Sequence, residues 1–263
     1  MSPANTGAHQ CAIEDQFSRQ AVGFAADREL HADDVVALVV EAARPQPHDA
    51  AIDFACGTGS VACALAKRAR RVVGLDATEA MLRQARDLAS REGVGNVEWR
   101  AGDVYRTPFA DASFDVATCR FAFHHLEDPA RAFAEMVRVA APGARIVVCD
   151  SFASDDPQKA AAFNAMERFR DPSTVEHRTL PFLRGLFESA GLGAPVVRRF
   201  DVSYFASDFV AKAFPLNGDG ARLLAMIESS VEGDAMDAGA HWTPQGVRFS
   251  FRAAALSAVK PLG

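Results

Sequence analysis

The sequence predicts an α/β fold, a mostly parallel sheet with helices on both faces. Three observations predict it. A glycine turn, Gly57-Thr58-Gly59, stands between a short apolar run, Ala50-Ala51-Ile52, and a helical stretch, Val61–Lys67. From that corner to Asp150, apolar strand-like runs alternate with helix-like segments, the pattern of a parallel sheet assembled from crossover units. Acids stand where those runs end, at Asp53, Asp76, Asp103 and Asp150, and ligands of open α/β sheets bind outside the strand ends.

The elements follow in order. Residues 1–13 read as a disordered tail. Residues 14–27 and 31–43 read as two helices, and Pro45-Gln46-Pro47 links them to the first strand. Arg71–Asp76 reads as the second strand, Asn96–Ala101 as the third and Ser113–Cys119 as the fourth. Ala141-Pro142-Gly143 reads as a turn before a fifth strand, Ala144–Cys149. Asp156-Pro157 is a helix start, an acidic cap followed by proline in the first turn. Helices are expected over 157–170 and 179–190, and a sixth strand over 194–202. Residues 205–240, with a helix near 221–231, lie before the last strand candidate, Val247–Ala255. An insertion there would hang over the strand ends as a cap.

The glycine corner carries the chemistry. Glycine allows a tight turn and close approach of backbone to a ligand. A diphosphate at such a corner needs bare amides at the helix N-terminus, and the Asp53 carboxylate beside it would repel one. It suits a ligand with an ammonium or sulfonium charge, and S-adenosylmethionine carries both. Asp76 lies about twenty residues past the turn, the usual place of a ribose-binding carboxylate, whose two oxygens can accept from vicinal hydroxyls. A carboxylate at Asp103 could accept from an adenine amino group. Strand-end acids also cap helices, which is the plain alternative for each of them.

These blocks, Asp53–Gly59, Gly74–Asp76, Gly102-Asp103, Phe114–Pro129 and Ala141–Asp150, together resemble the class I S-adenosylmethionine-dependent methyltransferases. The resemblance is to their small-molecule branch, which includes the ubiquinone and menaquinone C-methyltransferases and natural-product O-methyltransferases. It is strong over residues 14–150 and thin over 151–258. It implies a Rossmann-like, seven-stranded, mostly parallel sheet closed by an antiparallel strand. With it come N-terminal lid helices over 14–43 and helical cap segments within 151–193 and 205–240. The cofactor residues it implies are Phe17, Asp53, Ala55, Gly57, Gly59, Asp76, Ala77, Met81, Gly102, Asp103, Val104 and Arg120. In this reading Asp53 faces the ammonium, Asp76 takes the ribose, and Asp103 with the Val104 amide takes the adenine. Cys56 stands where the wider class often has glycine. Gln20 and Phe24 accompany Phe17 on the first helix, and Phe24 stands where relatives often carry tyrosine.

His124 and His125 follow the fourth strand, and Asp150 ends the fifth. In natural-product relatives a histidine and an acid at these places form the catalytic pair. A histidine can take the proton that a hydroxyl loses on methylation. The expectation is that His125 is the base, with Asp150 orienting it. Two adjacent side chains cannot both point into one pocket, so one of His124 and His125 is expected to be structural. Glu167, Arg170, Asp171 and His177 read as solvated lid residues, and Phe205, Phe209 and Phe214 as cap core.

Composition excludes other classes. The chain has 263 residues, 49% hydrophobic, with a net charge of -6 and no block of basic residues. That speaks against nucleic acid or an anionic membrane as partner. No signal-like segment is visible, and no apolar run is long enough to span a bilayer. Cysteines 11, 56, 63, 119 and 149 lack ligand spacing, so they read as reduced, packed residues of a cytoplasmic protein with no metal. A small-molecule acceptor is expected, at oxygen or an activated carbon, and a homodimer is left open. Two rival readings remain. One is a non-methylating cyclase that uses the same cofactor fold. The other is a nicotinamide oxidoreductase, against which Asp53 and the 102–103 block both argue.

Overall fold

The computed structural model describes residues 16–17 and 33–262. Helix α1 (Asp33–Ala43) precedes strand β1 (Ala50–Phe54). Then come α2 (Ser60–Ala66), β2 (Arg71–Asp76), α3 (Glu79–Arg91), β3 (Val97–Ala101) and β4 (Phe114–Arg120). A 3-10 turn at Phe123–His125 leads to α4 (Pro129–Val139), β5 (Ala140–Ser151), α5 (Pro157–Arg170) and α6 (Leu180–Ser189). The last part holds β6 (Val196–Phe205), α7 (Ala206–Lys212), α8 (Gly220–Ser229), β7 (His241–Thr243) and β8 (Gly246–Val259).

The strands run in the order β3-β2-β1-β4-β5-β8-β6. The first five are parallel, and β8 is antiparallel to both β5 and β6. This is the expected sheet, with one addition. The short strand β7 pairs with β8 through a hairpin and makes an eighth.

Successive side chains of a strand point to opposite faces, and the core divides accordingly. Ile52, Phe54, Val73, Ala117, Ile146, Val148 and Leu256 lie on one face with Phe133 and Met136 of α4 and Leu183 and Phe187 of α6. Ala51, Val72, Val116, Val147 and Ala255 lie on the other with Val39 and Val40 of α1 and Val61 and Leu65 of α2. A third cluster joins α5, β6, α7, α8 and β8. Its centre is aromatic, with Phe209 5.1 Å from Phe249 and 5.2 Å from Tyr204 between ring centroids.

Local chemistry fixes the helix starts. The Asp156 side chain accepts from the Gln158 and Lys159 amides, and Pro157 holds the first position of α5. Asp128 caps α4 in the same way, ahead of Pro129. Proline fits there because its missing N–H would have no intrahelical partner.

Several boundaries differ from the sequence reading; the last strand, for one, runs to Val259. The Ala141–Gly143 turn lies inside β5, where pairing with β4 jumps from Phe114↔Ala140 to Val116↔Arg145. Gly143 takes φ 81 there, and its amide donates to the Lys260 carbonyl at 2.8 Å, so the kink is absorbed as an irregularity of the strand. Strand β6 continues to Phe205 because its register with β8 runs unbroken to Phe205↔Arg248. Tyr204 is buried within the aromatic cluster that this ladder supports.

Candidate active site

A cleft opens at the C-terminal ends of β1, β2 and β4. It encloses about 1080 Å³ of empty space, its mouth included. Of the residues predicted to hold a cofactor, Phe17, Asp53, Ala55, Gly57, Asp76, Ala77, Met81, Asp103, Val104 and Arg120 all line it. Gly59 and Gly102 do not. Gly59 ends the turn at φ 84 as the cap of α2, and a Cβ there would meet Trp99 Cη2 at 2.6 Å. At Gly102 a Cβ would meet Leu75 Cδ1 at 2.7 Å. Gln20, Phe24, Cys11 and the 1–13 tail lie outside the described residues.

The glycine turn and the end of the second strand are tied together. The Gly57 amide donates to Asp76 Oδ2 and the Thr78 amide to Oδ1, each at 2.8 Å. Each oxygen keeps capacity for another donor. Ala55 and Phe121 occupy the left-handed region, at φ 48 and φ 51. For a bulky residue such as phenylalanine this is a strained conformation, and such strain gathers at functional sites. Phe121 lines the cleft and also packs on the aromatic cluster.

Electrostatics mark the cleft as a place for a cation. Asp53 is buried and accepts from Thr118 Oγ1 at 2.7 Å. Burial nonetheless pushes its carboxyl up to about 7, against the opposing effects of the Thr118 bond and the Arg120 charge. Burial also raises Asp76, against the amide bonds from Thr78 and Gly57. Two desolvated carboxylates on one wall are stabilised by a positive ligand group and by hydroxyl donors. Arg120 donates to Ser60 Oγ at 3.2 Å, and its guanidinium lies 5.1 Å from the Phe121 ring centroid. The donor set fits S-adenosylmethionine: a carboxylate for the ammonium, a second for the ribose, and apolar walls from Val61, Met81 and Val104.

The histidine pair divides its labour, but not as the sequence suggested. His125 lines the cleft, whereas His124 and Asp150 do not. Asp150 does not orient His125. Its Oδ1 accepts from His124 Nδ1 at 2.7 Å and its Oδ2 from the His124 amide at 3.1 Å. The His124 ring reaches the adjacent strand end, while the His125 ring, packed against it, faces the cleft. His124 is raised: burial pulls it down, but the Asp150 charge and hydrogen bond outweigh burial. His125 Nδ1 instead meets Ser173 Oγ at 3.2 Å, and Ser173 Oγ donates to Asp171 Oδ1 at 2.5 Å. Burial holds His125 below its usual range, and the neighbouring His124, 4.2 Å away between centroids, lowers it further.

The segment read as a solvated lid is in fact a buried polar network. Glu167, Asp171 and His177 are buried, and Arg170 is largely so. Arg170 grips Glu167 through two bonds of 2.8 and 2.9 Å. His177 Nε2 lies 3.2 Å from Glu167 Oε2, and its ring stacks on His124 at 4.3 Å. The correction has a physical reason. Opposite charges three residues apart on α5 meet each other, so the helix can bury them as a satisfied set. Among the described residues, His124, Asp150 and His177 also have the spacing of metal ligands. In that cluster His177 Nδ1 meets Ser151 Oγ at 2.9 Å, and His124 Nδ1 meets Asp150. Of the cap aromatics, Phe209 is buried, Phe205 half-buried and Phe214 exposed.

Sequence reasoning also missed Tyr105, Phe121, Leu126 and Glu127 as lining residues. Leu126 and Glu127 directly follow the histidines, so adjacency was the available signal. Ser173 gave none.

Comparisons with known proteins bear on the family and the fold. Residues 52–148 match the family described as "Methyltransferase domain". The chain is 29% identical over 189 residues to the uncharacterised methyltransferase YcgJ of Bacillus subtilis, covering 72% of this chain and 75% of that protein. The crystal structure of YcgJ superposes with a TM-score of 0.79 at 23% identity, over 88% of this chain and 100% of the other. The Bacillus halodurans C-125 protein BH2331, described as a candidate methyltransferase, gives a TM-score of 0.79 at 26% identity, over 86% and 98%. A demethylmenaquinone methyltransferase of Thermus thermophilus is 37% identical over 145 residues, which is 54% of this chain and 61% of that protein. The match thus spans about three-fifths of that relative's length. No helix among the described residues is long and apolar enough to cross a membrane. The strand-end carboxylates, the glycine corner, the sheet order and these likenesses converge: residues 52–148 carry a methyltransferase domain, the protein is an S-adenosylmethionine-dependent methyltransferase, and S-adenosylmethionine is its cofactor.

Proposed function

We propose that this enzyme methylates a small molecule bearing an acidic hydroxyl, a phenol, enol or quinol, at that oxygen or at the ring carbon it activates. The observation that carries this reading is His125 on the cleft wall, held neutral beside the cofactor residues. A neutral imidazole keeps a lone pair at every ordinary pH. Burial makes it a weak base, suited to a proton of phenolic acidity rather than to that of an aliphatic alcohol. Phe17, Tyr105, Phe121 and Leu126 supply the flat, apolar walls that such a ring would touch. The demethylmenaquinone methyltransferase likeness points to the same acceptor class.

The roles then fall out by position. Asp53 holds the ammonium, Asp76 the ribose hydroxyls, and Asp103 with the Val104 amide the adenine. When bound, the cofactor supplies a sulfonium methyl and a neutral thioether leaving group. The chain contributes orientation, water exclusion and the removal of one proton at His125 Nε2. The first helix expected over 14–27 lies outside the described residues except for 16–17, of which Phe17 lines the cleft; segments within 151–193 and 205–240 are assigned to the acceptor side.

The test is single-turnover methyl transfer from labelled S-adenosylmethionine to a panel of simple phenols and reduced naphthoquinones. His125→Ala should lower the rate by about 10²-fold with cofactor affinity intact. An unchanged rate on the acceptor turned over best would remove the base. Tight cofactor binding with no methyl transfer to any acceptor would favour the cyclase reading instead.

A further inference from the structure

We infer that Ser173 and Asp171 form a proton-ordering relay behind His125, fixing the tautomer in which Nδ1 carries the hydrogen and Nε2 the lone pair. This rests on the reading of His125 as the base, and it names the positioning residues of that base.

The argument is a count of protons. Asp171 is buried and accepts at Oδ1 from both the Ser173 amide, at 2.9 Å, and Ser173 Oγ, at 2.5 Å. Arg170 Nη2 stands 3.9 Å from its other oxygen. A carboxylate so surrounded by donors is ionised, and an ionised carboxylate only accepts. A hydroxyl has one hydrogen, and the short contact to Asp171 takes it. Toward His125 Nδ1, 3.2 Å away, Ser173 Oγ therefore has only lone pairs to offer. The hydrogen of that second contact has to come from the ring. Neutral imidazole carries one N–H, so placing it on Nδ1 leaves Nε2 as the acceptor.

The surroundings hold the relay still. The His124 carbonyl accepts from the Val175 and Glu176 amides, each at 3.0 Å, which fastens the 171–177 segment to the 3-10 turn that carries both histidines. Asn164 clamps the same segment, accepting from the His177 amide at 2.7 Å and donating to the His177 carbonyl at 3.1 Å. The relay lies behind the ring: Asp171 and Ser173 do not line the cleft, whereas His125 does. They act through the imidazole, as a carboxylate does when it sets the tautomer of a catalytic histidine, except that here a hydroxyl stands between them.

During transfer the acceptor hydroxyl gives its proton to Nε2 while the methyl moves from sulfur to the acceptor, leaving a thioether. The new imidazolium donates through Nδ1 to Ser173, and the Asp171 charge faces it across one hydroxyl. The ring proton then leaves to solvent, which restores the resting tautomer.

The test uses ¹⁵N-histidine-labelled full-length protein saturated with S-adenosylhomocysteine, with His125 assigned by the signal lost in His125→Gln. Two-bond nitrogen–proton correlation reads the tautomer directly. The wild type should show the Nδ1–H form as the dominant species, by about tenfold or more. Ser173→Ala and Asp171→Asn should collapse that preference, and Ser173→Thr, which keeps the hydroxyl, should restore it. Unchanged affinity for S-adenosylhomocysteine reports that each variant is folded. An Nε2–H tautomer in the wild type, or a preference that survives Ser173→Ala, would overturn the relay. The outcome is separable from the base reading, which fails only when His125→Ala leaves methyl transfer intact.

Discussion

Lowering the pH should weaken cofactor binding through one residue, Asp53. Its carboxyl, pushed up to about 7 by burial, is mostly protonated in the ligand-free protein below neutrality. An ammonium group prefers the ionised form, so binding must expel that proton. At pH 5 a group of pKa about 7 is ionised in roughly one molecule in a hundred, against about nine in ten at pH 8. Affinity should therefore fall about 100-fold between these limits, roughly 2.7 kcal/mol. The sign for stability follows from the same shift. An acid raised from 3.8 to about 7 holds its proton longer in the folded state, so its contribution falls as pH rises through that window. The cost of ionising it in the folded protein is on the order of 4 kcal/mol. A bound ammonium offsets part of this, so S-adenosylhomocysteine should raise Tm more at pH 8 than at pH 5. Calorimetry with S-adenosylhomocysteine, in two buffers of different protonation enthalpy, counts the protons released. About one per ligand is expected between pH 5 and 6, and Asp53→Asn should flatten the profile. The reasoning fails if wild-type affinity is level from pH 5 to 8, or if Asp53→Asn keeps the same slope.

Two further expectations follow from the same corner of the fold. Asp76→Ala should weaken S-adenosylhomocysteine binding by roughly 1.5–3 kcal/mol, since it removes a charged acceptor of the ribose hydroxyls; equal affinity by calorimetry in a folded variant would take Asp76 out of the site. Gly59→Ala should cost about 2–4 kcal/mol in urea unfolding, because the left-handed backbone and the close Trp99 ring both resist a Cβ. A loss below 0.5 kcal/mol would refute this steric account of the turn.

The sheet was legible because its signals are local. Short apolar runs, proline at N1 after an aspartate cap, and acids at strand ends all read from short windows, and α5 appeared over 157–170 as drawn from Asp156-Pro157. The cleft wall formed by Asp53, Asp76 and Asp103 was legible for the same reason, since each follows its own strand. The surroundings of His125 were not. Asp171 and Ser173 reach His125 across 48 residues in the case of the serine, and nothing in the local pattern of the 167–177 segment pairs it with the fourth strand. Its charges looked solvated because each, taken alone, would be. Their burial depends on all being satisfied together, a property of the assembled network. Asp150 was misassigned for a smaller reason: the 3-10 turn decides which of two adjacent histidines meets it, and a sequence does not show that rotation.

Trp99 has a consequence beyond this molecule. Its ring rests where side chains at residues 59 and 74 would be: a Cβ on Gly59 would fall 2.6 Å from it, and one on Gly74 2.5 Å. Three positions from a turn and two strands thus form one steric unit, and they cannot drift independently through descent. A lineage that keeps the large ring is held to glycine at both places. One that shrinks residue 99 is eased at position 74, where Cys56 Sγ at 3.2 Å remains, while position 59 stays bound by its backbone and by Ala85 Cβ at 2.8 Å. Substitutions at 74 and 99 should accordingly arrive together among relatives, with those at 59 the rarest of the three.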